Sequence, residues 1–97
     1  MIHTTPVKID DKIATGLRVD LPDSPPLVVI VGNTGFVMCG FLNVEAAEKL
    51  NVTAAMVSGV RNSDDMLKAG VKEVTSRARR KGITIGMKGK DAVKLLL

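Results

Sequence analysis

Apolar and polar positions alternate through the first part of the chain. Val7 and Ile9 flank Lys8, and Leu17, Val19 and Leu21 are separated by Arg18 and Asp20. A period of two sends successive side chains to opposite faces of a strand. Ile2 to Ile9 and Ile13 to Leu21 are therefore predicted as paired strands with one wet face, turning at Asp10-Asp11-Lys12. Pro6 has no N–H to give a ladder, which assigns the first strand to a sheet edge. Asp23-Ser24-Pro25-Pro26 interrupts the ladder and serves as a connection. The pattern then changes to five uninterrupted aliphatics, Leu27 to Val31, the turn Gly32-Asn33-Thr34-Gly35, and a second apolar run, Phe36 to Leu42. An unbroken run is apolar on both faces and belongs in the middle of a sheet. The Asn/Gly turn reads as a hairpin, because those residues accept the positive φ of tight turns. A membrane helix would need ~20 apolar residues without a polar break.

Helical signals follow. Asn43 is a good N-cap for Val44–Leu50, with Glu45 early and Lys49 late in the helix. Thr53 to Val60 reads as a small-residued strand. Strand, helix and strand with short links make a right-handed crossover, so Phe36–Leu42 and Thr53–Val60 are predicted to run parallel. Ser63 is taken as the cap of a brief helix through Ala69, ended by Gly70. A second helix is predicted from Val71 to Lys81, with Val71, Val74, Thr75 and Ala78 inward and Gly82 as its stop. Ile83-Thr84-Ile85 is read as a short strand, Gly86–Gly89 as a turn and Lys90–Leu97 as a last helix. The fold class expected is α+β: one domain over residues 1–97, a mixed sheet whose antiparallel N-terminal half is followed by β-α-β units.

Composition changes this picture at three points. Two phenylalanines are the only aromatics, so Val, Ile, Leu, Met and Ala must fill the core. A single cysteine excludes an internal disulfide framework and a Cys-rich zinc site, and no metal site or cofactor is indicated. No charged segment followed by an apolar one opens the chain, so a cytoplasmic protein is expected. Charge is unevenly placed: residues 1–60 carry four basic and six acidic groups, residues 61–97 ten and four. Such asymmetry points to an anionic partner for the C-terminal part, against the plain alternative of solvated helix faces.

Three short motifs stand out: Met38-Cys39-Gly40 in a glycine-flanked strand, Gly59-Val60-Arg61 followed by Asp64, and Gly86-Met87-Lys88-Gly89 before the last helix. In their order and spacing the chain resembles the YunC-like family of small bacterial and archaeal proteins, a domain of unknown function. The resemblance spans nearly the whole chain. It implies a mixed-sheet α+β fold of about this size and brings no activity, cofactor or catalytic residue.

The candidate chemistry is spread over four places. Arg61, Asn62 and Ser63 leave a strand and enter a helix, where free N–H groups beside an arginine suit an anion. Asp64 and Asp65 occupy the same first turn and offer Arg61 an internal partner instead. Gly86, Met87, Lys88, Gly89 and Lys90 form a second strand-to-helix turn in which two glycines let backbone amides approach a ligand. It is not a P-loop, since only two residues separate the glycines and Asp91 follows Lys90. Cys39 is the one candidate nucleophile; a thiolate needs a base or cation beside it, and His3 is the only histidine. As a plain reading, Cys39 is a small buried hydrophobe. Arg77, Arg79, Arg80 and Lys81 are the densest basic run, with Glu73 at helical pairing distance from Arg77.

The reading that follows is a binding or regulatory module for an anionic small molecule, held by Arg61 and the Gly86–Lys90 turn at one carboxyl edge of the sheet. A thiol-dependent enzyme using Cys39 is the alternative, which leaves open whether the chain is an enzyme. RNA binding ranks third, because no Tyr or Trp offers a stacking platform. A homo-oligomer is expected from the small size and long aliphatic strands, and no membrane partner.

Overall fold

The computed structural model describes residues 1–97. Its six strands are β1 (Ile2–Ile9), β2 (Lys12–Val19), β3 (Leu27–Val31), β4 (Phe36–Met38), β5 (Ala54–Met56) and β6 (Glu73–Val74), and they lie side by side in chain order. The first four form an antiparallel meander, β4 and β5 are parallel, and β6 returns antiparallel to β5. Four short helices, α1 (Val44–Lys49), α2 (Ser63–Lys68), α3 (Ser76–Arg80) and α4 (Gly89–Leu96), pack around this α+β sheet. None is long and apolar enough to cross a membrane.

Register explains which face is buried. One row runs Thr5, Gly16, Ile30, Val37, Ala55, Val74 across all six strands. On that face α2 and α4 close the main core over Val7, Ile9, Val28, Ile30 and Val37, with Met66 and Leu96 fully buried. Burying side chains of this size stabilises by about 1.5–3 kcal/mol each. A β-carbon at Gly16 would strike the Ser63 hydroxyl, so glycine there lets α2 settle on β2. On the opposite face α1 covers β4 and β5 through Ala47, Met38 and Ala54. Over β1 and β2 it is left open, and on β3 only Val29 is buried. Pro6 stands at an outward backbone position on edge strand β1: Asp20 N–H bonds Met1 O, which turns the odd-numbered residues of β1 toward β2.

Four expectations need correction. Residues 71–81 are not one helix. Thr75 is the N-cap of α3, its Oγ1 accepting from Ala78 N–H, and it also ties the chain to the start of β5. Val71, Val74, Thr75 and Ala78 are all buried as expected, but by a strand and a short helix in succession. Glu73 consequently lies in β6, and the expected Glu73–Arg77 helix pair does not form. Ile83–Ile85 is no strand: Ile83 N–H bonds Ala78 O and Gly82 N–H bonds Arg79 O, with Gly82 at φ +99°, the paired bonds that end a helix at a left-handed glycine. Asn62, not Ser63, caps α2. The Gly32–Gly35 turn uses no positive φ; its glycines are needed because β-carbons would run into the Leu96 backbone and the Thr53 carbonyl.

Candidate functional site

Parallel strands deliver their following turns to one edge of a sheet. Here β4 ends at Met38, sooner than its apolar run suggests, and Cys39-Gly40-Phe41 turns out of it. Cys39 stays anchored to β3: its N–H bonds Val28 O at 3.1 Å, and its Sγ accepts from Val28 N–H at 3.4 Å. Beside it, β5 runs on through Val57, whose N–H bonds Met38 O at 2.9 Å. Ser58-Gly59-Val60-Arg61 then turns away, with Gly59 at φ +72°. Pro25 and Pro26, just before β3, supply a third wall.

These three turns enclose a cleft of about 340 Å³. Buried Cys39 and Val60 lie at its base; Phe41, 51% exposed, and the two prolines form apolar walls. Arg61 is its only charged lining residue. The backbone N–H of Arg61 donates to Asp65 Oδ2 at 3.2 Å, while its exposed guanidinium makes no ion pair or hydrogen bond within the chain. A cation at the mouth, apolar walls and a thiol at the base suit an organic anion with an apolar portion.

The other predicted residues are placed differently. Asn62 spends its side-chain oxygen on Asp65 N–H at 2.8 Å. With Ser63 it lines a separate cleft of about 510 Å³ against His3, Thr5 and Arg18. His3 Nε2 lies 3.0 Å from Asp20 Oδ2, and Arg18 Nε 3.3 Å from Asp20 Oδ1. The hydrogen bond from His3, then the charge of Arg18, holds the exposed Asp20 carboxyl below its usual range. His3 and Cys39 line different clefts, so no thiol–imidazole pair is assembled.

Gly86–Lys90 lines neither cleft. The amides of Gly86, Met87 and Gly89 donate to Val71 O, Thr84 O and Ala69 O. Gly86 adopts φ +94°, and a β-carbon at Gly89 would collide with the Met66 carbonyl, so each glycine has a role inside the fold. The side chains of Lys88 and Lys90 are exposed and make no ion pair.

The residue pattern assigns Phe41 to the strand Phe36–Leu42 and Pro25 and Pro26 to a connection, so it does not single out these three as cleft walls. No local pattern marks them, because the β3–β4 pairing stops with Val29 opposite Met38 and the chain turns out of the strand before Phe41.

A family model described as a domain of unknown function (DUF1805) matches residues 38–96, starting at the Met38-Cys39-Gly40 end of β4. The uncharacterized protein YunC of Bacillus subtilis is 32% identical over 97 residues, covering 96% of this chain and 95% of that protein. The crystal structure of TA1206, a protein of unknown function from Thermoplasma acidophilum, matches with a TM-score of 0.93 at 34% identity. That match covers 100% of this chain and 94% of the other.

Proposed function

Because this chain belongs to the DUF1805 family, a domain of unknown function, its activity is read from its own residues, and we propose that it binds a small organic anion in the Cys39–Arg61 cleft. The observation that carries this reading is Arg61: an uncommitted guanidinium beside apolar walls, where both parallel strands end. A carboxylate or phosphate can take two parallel hydrogen bonds from that group, and Phe41 and the prolines exclude water from the rest of the ligand. Native mass spectrometry of the purified protein tests for a co-purified anion. Thermal shift with a panel of carboxylates and phosphate esters should then show stabilisation that Arg61→Ala abolishes and Cys39→Ala retains. A panel without any shift, or a shift surviving in Arg61→Ala, refutes the reading.

A second reading, a thiol-dependent enzyme, is favoured by one observation, the presence of Cys39 in the same cleft. It requires a shift that depends on Cys39 and rapid alkylation of the native thiol.

Self-association belongs to the same proposal. The open face of β1–β3 exposes Ile2 (68%), Ile13 (63%) and Val31 (44%), with Leu17 and Val19 half-buried among them. Lys8 is the one charge in these rows. At ~3.3 Å per residue and ~4.8 Å between strands, β1–β3 present roughly 330 Å² in projection, before side-chain relief is added. Side-chain relief brings that toward the ~600 Å² per partner of a small stable interface. Sedimentation should show a dimer that Val31→Lys dissociates; a clean wild-type monomer at tens of micromolar removes this part of the proposal.

A further inference from the structure

At the opposite end of the parallel pair, Thr34 precedes β4 and Thr53 precedes β5. Arg77, Arg80 and Lys81 from α3 and its C-terminal cap complete a cleft of about 380 Å³ with these two threonines. No apolar or acidic side chain lines it. None of the three cations is in a salt bridge. Arg77 is held by a hydrogen bond from Nη1 to Asn51 O at 3.0 Å.

Cations at a helix C-terminus are ordinarily explained by the last carbonyls they neutralise. That explanation covers little here, because the amides of Lys81, Gly82 and Ile83 already take the carbonyls of Arg77, Ala78 and Arg79, leaving only Arg80 O at the end of α3. A second observation points to a ligand. Thr53 is only 7% exposed and its hydroxyl makes no hydrogen bond within the chain, whereas the other buried threonine, Thr75, uses its hydroxyl three times. The Thr53 oxygen is not sealed from solvent, so it faces the cleft as a free donor that an oxyanion can take.

We propose that this cleft is an oxyanion site that takes a phosphoryl group, distinct from the Arg61 cleft. Three cations and the free Thr53 hydroxyl, with no apolar lining, match an ion presenting several acceptor oxygens and more than one negative charge, while the Thr34 hydroxyl is held by Leu96 O; a carboxylate would leave donors unused. The phosphate can come from a small phosphorylated molecule or from a nucleic-acid backbone.

Titration of inorganic pyrophosphate into isotope-labelled protein, at constant ionic strength and followed by amide NMR, tests the site. Saturable shifts confined to Thr34, Thr53 and Arg77–Lys81 are expected. The double variant Arg80→Ala/Lys81→Ala, at two exposed positions, should weaken binding at least tenfold. Thr53→Val should weaken it about threefold, and Arg61→Ala should leave it unchanged. A single-stranded oligouridylate forms the second arm: tighter binding through the same amides, falling steeply with salt, assigns the phosphate to nucleic acid. Tighter pyrophosphate binding assigns it to a small molecule. Absence of saturable shifts with both probes, shifts scattered over all basic residues, or equal affinity in the double variant overturns the proposal.

Discussion

Replacing Thr75 with valine keeps the shape of a fully buried side chain and removes only its hydroxyl. That hydroxyl accepts from Ala54 N–H at 3.1 Å and Ala78 N–H at 3.3 Å, and donates to Val52 O at 2.8 Å. It is the link between the start of β5 and the first turn of α3. Ala54 and Ala78 are both 0% exposed, so water cannot replace the lost acceptor. Two orphaned buried donors cost about 1–3 kcal/mol each. The added methyl returns about 0.8 kcal/mol. A net loss of about 1–5 kcal/mol is expected, a large share of the ~5–15 kcal/mol typical of a folded domain. At ~4–8 °C per kcal/mol for a chain of this size, Tm should fall by roughly 5–40 °C. Urea unfolding followed by circular dichroism measures the change, with Thr75→Ser as the control that keeps the hydroxyl and loses only a methyl. A valine variant as stable as the serine variant, with an unchanged m-value, would show that the hydroxyl holds nothing.

Gly89→Ala should destabilise by about 1–3 kcal/mol through overpacking against the Met66 carbonyl. Helix propensity alone predicts the opposite sign, a gain of up to about 1 kcal/mol, so denaturant midpoints decide between the two. His3→Ala should move the Asp20 titration, followed by NMR, upward toward the ordinary value of 3.8. Since the folded pKa is lowered, the stabilisation it reports is present above the unfolded pKa and lost as pH falls through the folded one. The stability gap between wild type and variant should therefore shrink as the solution is acidified below 3.8, and a gap that widens there contradicts the assignment. Cys39, 4% exposed, should be alkylated at neutral pH only as fast as the chain opens. Stoichiometric labelling within seconds in the native state would instead favour the thiol-dependent reading.

Much of the candidate site was legible from the residues. Arg61 and Cys39 were singled out, and the crossover through α1 places both at one sheet edge. The Gly86–Lys90 turn was expected there too, on the strength of a third parallel strand at Ile83–Ile85. That inference rested on apolar pattern, and the pattern has a second cause: Ile83 follows the left-handed Gly82 and plugs the core where α3 ends. An apolar residue beyond a helix-stopping glycine looks the same in sequence whether it begins a strand or seals a cap.

What the sequence by itself determined is the meander β1–β3, the central place of Leu27–Val31 and the parallel setting of β4 and β5. Period-two alternation, proline at the edge and short crossover links act over a few residues, so they are visible without the fold. Only the tertiary structure decided the course of residues 71–89. There the local preference for helix yields to the Thr75 hydroxyl, bonded to Val52 and Ala54 more than twenty positions away, and to Gly89, pressed on the Met66 carbonyl. A buried donor must be paired and two backbones cannot overlap; both constraints come from groups distant in sequence, which no local pattern records.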